Sequence, residues 1–168
     1  MVNMNIKRLV RHLCLTAAHE RRSFDAATLG RINDAIASSE SRHGGELRFV
    51  VERALDGTAL WKSQSPRERA IELFSSLHIW DTRHNSGVLI YVLLADRSVE
   101  ILADRGIDAK VGNKTWAAIC QAMETRFRDG DFEAGALEGI DAITQLLANH
   151  FPPKPDESNE LPDFPVIL

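Results

Sequence analysis

Asp81, His84, Asn85, Asp104, Arg105 and Asp108 carry side chains that hold ions or move protons, and they fall in two short segments flanking a pair of strand-like runs. Carboxylate and amide oxygens are hard ligands of the kind Ca²⁺ and Mg²⁺ prefer. A cation held by a few such oxygens keeps room for water and for a phosphate oxygen. Asp81, Asn85, Asp104 and Asp108 are therefore the expected ligands of a hard divalent cation. Arginine grips phosphate with a fork of N–H donors, and histidine exchanges protons near its ordinary pKa of ~6.5. Asp104, Arg105 and His84 are accordingly the candidate catalytic groups, were a phosphate-bearing substrate to bind at such a metal. Arg83 is a further phosphate contact, with an ion pair to a neighbouring acid as its structural alternative.

The segments between them explain why these residues should meet. Residues 88–94, Val-Leu-Ile-Tyr-Val-Leu-Leu, form an unbroken apolar run of strand length, as expected of a central strand covered on both faces. The polar stretch Ala95-Asp96-Arg97-Ser98 follows, then a second strand over 99–103, so the pair reads as a hairpin. An antiparallel hairpin returns the chain to its starting end. The loop entering the first strand and the loop leaving the second should converge there. An earlier strand over 47–51 is separated from residue 88 by a long crossover and should run parallel to it. That places His43 and Glu46 at the same end as outer candidates. Glu52, Asp56 and Asp96 belong to the opposite end, where open α/β sheets commonly bind ligands.

Helical signals fill the remainder. Ile6, Leu9, Val10, Leu13 and Ala17 make one apolar stripe, with Lys7, Arg8, Arg11 and His12 on the other face. The stripe is expected to pack on the domain and leave a basic face for solvent, anionic lipid or an acidic partner. Asp25 is a good N-cap, with Phe24 before it placed to staple against Leu29. Ser65-Pro66-Arg67-Glu68 is a capping box with proline at the first helical position. Trp116, Ile119, Cys120, Met123 and Phe127 mark a further helix that Asp129-Gly130 stops, and Asp131 opens the last one. The expected fold class is α/β: a three-layer α/β/α sandwich around a small mixed β-sheet, as a single domain over residues 24–151. Residues 1–22 read as an N-terminal amphipathic helix, and residues 152–168 as a proline-rich extended tail that folds back or binds another protein.

A length of 168 residues suits one buried core, and an apolar share of 44% is that of an ordinary globular domain. A net charge of −4 argues against nucleic-acid binding. No apolar run approaches the ~20 residues that span a bilayer, and Arg11 and His12 interrupt the short apolar start, so the expected location is cytoplasmic. Cys14 and Cys120 are expected as buried reduced thiols, without zinc-ligand spacing. Trp80 and Trp116 read as packing residues. Gly130 and Gly135 follow neither phosphate-loop nor dinucleotide spacing.

Three segments together resemble one known family. Asn85-Ser86-Gly87-Val88-Leu89-Ile90 resembles an Asp-Asn-Gly-Val-Leu stretch opening a central strand. Val99-Glu100-Ile101 followed by Gly106 is similar to its next strand and glycine turn. Phe127-Arg128-Asp129-Gly130-Asp131-Phe132-Glu133-Ala134-Gly135 closely resembles a signature between its last two helices. The family is the TPM domain, which includes a thylakoid-lumen acid phosphatase and a photosystem repair protein of plants. Two positions depart from its pattern: Asn85 stands where the family has an acid, and Asp104 where it has a glycine. The resemblance implies an α/β/α fold and Ca²⁺ or Mg²⁺ binding. For function it implies either weak phosphomonoesterase activity or a non-catalytic role in assembly or repair. The leading expectation is a divalent-metal-binding interaction module that assists a membrane-associated complex. It would contact a protein or the membrane periphery through the tail or the first helix.

Overall fold

In the computed structural model, which describes residues 6–153 and 159–168, the apolar run after Asn85 becomes a strand with every residue buried. The helices are α1 (Ile6–Cys14), α2 (Ala17–Ser23), α3 (Ala26–Glu40), α4 (Gly57–Trp61), α5 (Pro66–Ser76), α6 (Arg105–Val111), α7 (Asn113–Arg128) and α8 (Phe132–His150). The strands are β1 (Glu46–Glu52), β2 (Gly87–Leu93), β3 (Ser98–Ala103) and β4 (Val166–Ile167). They form one sheet in the order β3-β2-β1-β4. β1 runs parallel to β2 and to β4, and β3 returns antiparallel to β2. The parallel pair and the hairpin are those the sequence implied.

Alternation along the strands feeds two cores. Leu47, Phe49, Val51, Val88, Ile90, Val92, Val99 and Ile101 face α3, α7 and α8. Val50, Leu89, Tyr91 and Leu93 face the opposite side, where α4 and α5 supply Leu60, Ala70 and Leu73. β2 can be apolar throughout because helices cover both of its faces. The architecture is the mixed α/β sandwich anticipated. The capping box at Ser65 forms as read, with the Glu68 backbone N–H on Ser65 Oγ and the Ser65 N–H on Glu68.

Four features differ from the sequence reading. The first helix stops at Cys14, and Thr16 caps a separate α2. Its stripe also faces the wrong way: Ile6, Val10 and Leu13 are exposed, while His12 is buried. Only Leu9 of that stripe packs against a core. Periodicity identified the face, but His12 and Arg8 found a partly buried aspartate, and that polar contact decided the orientation. Cys14, expected buried, is exposed as a consequence, whereas Cys120 is partly buried and its thiol is pushed up to about 11 by burial. The segment 104–108, read as a loop, instead opens the helix Arg105–Val111, because Asp104 accepts the Arg105 backbone N–H at 2.7 Å and starts α6. The tail does fold back, and its last residues add β4 to the edge of β1. Residues 156 and 157 of the tail, like residues 1–5 of the N-terminal segment, lie outside the described residues.

Candidate functional site

The hairpin brings its two flanking loops together at the entry end of β2. Asp104 N–H donates to Gly87 O at 2.8 Å and Gly106 N–H to Asn85 O at 3.0 Å, so the segment leaving β3 lies directly on the segment entering β2. The approach is close enough to demand glycine. A Cβ on Gly106 would sit 2.6 Å from Asn85 O and 2.7 Å from His84 O. Asn85 itself adopts φ 51°, a left-handed conformation that asparagine tolerates better than most residues.

The side chains at this end are largely engaged. Arg105 Nε donates to Asn85 Oδ1 at 3.2 Å. Asp108 Oδ1 accepts from Trp116 Nε1 at 3.0 Å, which fixes the buried indole against α6. Asp104 Oδ1 serves as the N-cap, whereas its Oδ2 is buried and has no hydrogen-bond partner among the described residues. Asp81 is exposed in the preceding turn, and His84 is half-buried. The Arg83 backbone N–H donates to the Glu160 carboxylate of the returning tail. The structure therefore brings Asn85, Asp104 and Arg105 into contact and gives Asp108 a separate partner. Among the described residues no three His, Cys, Asp or Glu side chains gather as a metal-holding group. A hard cation at this end would rest on Asp104 Oδ2 and water, with the Arg105 guanidinium nearby.

The outer candidates have structural roles. His43 is buried, its Nδ1 accepting from the Gly45 N–H at 3.2 Å, so its Nε2 carries the proton toward Ser39 Oγ at 2.8 Å. The Glu46 carboxylate accepts backbone N–H groups of Glu160 and Leu161 at 3.0 and 3.1 Å and so holds the tail. Arg48 donates to the carbonyls of Pro162 and Phe164 beside it. Burial, reinforced by Glu46 and Asp163, pushes the Glu40 carboxyl up to about 9, and burial also raises Glu46. The sequence offered no local sign of this latch, because its partners are separated by more than a hundred residues.

At the exit end of β1 and β2 the acids are bound more tightly. Asp96 Oδ2 accepts from Arg8 at 2.7 Å and its Oδ1 from His12 Nε2 at 3.1 Å. His12 Nδ1 accepts the Leu55 N–H at 3.0 Å, which turns Nε2 toward Asp96 as a donor. Burial works against the Asp96 charge, but the hydrogen bonds from Arg8 and His12 prevail and hold its pKa below the usual range. Glu52 accepts from Arg69 at 2.9 Å and from the buried Tyr91 hydroxyl at 2.7 Å, and burial first, then Glu52, drives that phenol upward. Asp56, the third acid of this end, N-caps α4 through the Ala59 N–H at 2.8 Å. Two cavities open at this end. One of about 440 Å³ is lined by Glu52, Lys62, Arg69 and Glu72, and one of about 500 Å³ lies toward α7 and α8.

Comparison with known proteins places this arrangement. A family model described as the TPM domain matches residues 19–146. No curated protein matches the chain. The NMR structure of BA42 protein from the psychrophilic bacterium Bizionia argentinensis is 31% identical over 85% of this chain and 94% of its own, with a TM-score of 0.75. The solution NMR structure of the N-terminal domain of a P. gingivalis protein is 18% identical, covers 77% of this chain and 82% of its own, and has a TM-score of 0.62, a likeness of fold.

Proposed function

This chain belongs to the TPM domain family, and we propose that it works there as an interaction module that docks α1 on an anionic membrane surface, beside a complex whose assembly or repair it assists. One observation carries the reading. α1 turns Arg8 and His12 inward onto Asp96 and leaves Ile6, Val10 and Leu13 outward, 69%, 50% and 72% exposed. An apolar helical face rimmed by cations is the arrangement that lies in a lipid interface. Lys7, Arg11, Arg21 and Arg22 supply the cations, with Glu20 as the single acid of that segment. Each cation near an anionic surface contributes about 1 kcal/mol, which declines with salt. Cosedimentation with vesicles of anionic and of neutral lipid tests the docking. Binding to anionic vesicles at low salt, lost in Val10→Asp/Leu13→Asp, is expected. Since both side chains are exposed, the double variant keeps the fold, and equal sedimentation of variant and wild type would sink the reading.

Asp104 supports a second, cation-dependent part of the same reading, because a buried carboxylate oxygen without a donor is a costly group that a cation would satisfy. Ca²⁺ or Mg²⁺ should then raise the melting temperature of wild type and leave Asp104→Asn unmoved. The alternative reading, a low-efficiency phosphomonoesterase using Asp104, Arg105 and His84, requires phosphate release that the same substitution abolishes.

A further inference from the structure

We propose that the cavity beside α7 and α8 is a binding site for an unbranched aliphatic carboxylate, tail inward and carboxylate at an arginine rim. Its volume of about 500 Å³ lies within the range of small-molecule sites. Leu15, Val92, Leu94, Phe127 and Phe132 make it apolar inside. Phe127 and Phe132 stack with centroids 5.3 Å apart, giving that wall a rigid flat face. Arg11, Arg97 and Arg128 surround the mouth. Arg97 and Arg128 are exposed, and neither guanidinium group is in an ion pair or hydrogen bond among the described residues, although the Arg97 backbone N–H donates to Leu94 O. Arg11 lies 3.5 Å from Asp96. The opposing charge is Glu124, one of whose carboxylate oxygens is already engaged by the Val99 N–H at 2.9 Å. An apolar interior behind two uncommitted guanidinium groups complements an anion with a hydrocarbon tail, and neither a cation nor a sugar.

Two further observations point the same way. Arg97 occupies the β2–β3 turn at φ 53°, a left-handed conformation in which a non-glycine residue is strained. Local strain held at a ligand-facing side chain is characteristic of binding sites. The other is the Phe127–Gly135 segment, whose Phe127, Arg128, Gly130 and Phe132 form one side of the cavity. Gly135 is part of the device: a Cβ there would lie 2.7 Å from the Phe127 ring. The segment thus shapes a wall and supplies a rim cation, in addition to turning the chain between two helices.

The site requires no bilayer and so stands apart from membrane docking. Titrating the full chain with decanoate below its micelle concentration, followed by backbone amide NMR shifts, tests it. Saturable shifts at residues 92–97 and 127–132 are expected, with octanoate roughly tenfold weaker because two buried methylenes are missing. Decyltrimethylammonium should not compete. Arg97→Gly should weaken decanoate about tenfold while leaving the melting temperature equal or higher, since glycine relaxes the turn. Arg128→Gln should weaken it comparably. Val10→Asp/Leu13→Asp should retain decanoate binding, and Arg97→Gly should retain vesicle binding, so each reading fails separately. No saturable shift up to millimolar decanoate would overturn the proposal. So would equal binding of the decyl cation, or unchanged affinity in the Arg97→Gly/Arg128→Gln double variant.

Discussion

The two ends of the sheet handle charge in opposite ways. At the entry end of β2, Asp104 and Asp108 are spent on local tasks, a helix cap and an indole N–H, and backbone lies directly on backbone. A Cβ at Gly87 would approach Ile79 O to 2.0 Å, so this end is close-packed. At the exit end, Asp96 ties α1 to the β2–β3 turn and Glu52 ties α5 to the sheet, and cavities of about 440 and 500 Å³ open beside them. At the entry end Asp104 and Asp108 serve one cap and one indole. The end with the cross-linked acids holds these two cavities, while a further one of about 420 Å³ runs along the β3 edge from Val99 to Asp108. A cluster of carboxylates in sequence therefore measures little until it is known what each oxygen already accepts.

Substitutions that cut the cross-links should have the largest effect. Asp96→Ala leaves Arg8 and His12 packed without their acceptor, and breaking such a buried network costs about 3 kcal/mol. In thermal unfolding the loss should appear as a fall on the order of 8 °C. A drop of only a degree would erase the contrast between the ends. Gly106→Ala probes the close-packed end, where the new methyl meets the carbonyls of Asn85 and His84. Overpacking of this kind costs about 2 kcal/mol, again read by thermal unfolding, and a neutral result would show that the two loops separate easily.

The tail latch gives a pH test. The folded-state pKa of Glu40 is raised to about 9 from an ordinary 4.5, so the folded protein binds the extra proton and stability declines as pH rises between those values. Glu40→Gln should match wild type near pH 5 and exceed it near pH 8. Allowing for the partial exposure of the group, the gain is about 1 kcal/mol, or ~3 °C. Parallel melting curves at both pH values would be inconsistent with this. The smallest effect belongs to Asp104→Asn. Asparagine caps a helix about as well as aspartate, so stability without added metal should change by less than ~0.5 kcal/mol. The informative measurement is the loss of any Ca²⁺-induced shift in melting temperature.

Much of the fold was legible in order along the chain. The run at 88–94, the polar turn after it and the capping box at Ser65 each announce their element through residues within a few positions of one another. Such signals survive folding because they concern backbone the chain can satisfy locally. The Phe127–Gly135 signature was equally visible, though its place in a cavity wall was not. The hairpin correctly brought Asn85, Asp104 and Arg105 together. What it could not reveal was that Asp104 caps α6 and that Asp108 is turned to Trp116.

The sequence alone thus determined the element order, the parallel pair with its antiparallel neighbour, and the family. Only the tertiary structure decided which face α1 presents, because an apolar stripe of Ile6, Val10 and Leu13 competes with a partly buried Asp96 that needs Arg8 and His12. An uncompensated buried charge outweighs the exposure of a few apolar side chains. The same holds for the tail. Its extension was written in its prolines, but its seat beside β1 was set by Glu46 and Arg48 reaching across the fold to backbone that no local pattern could have named.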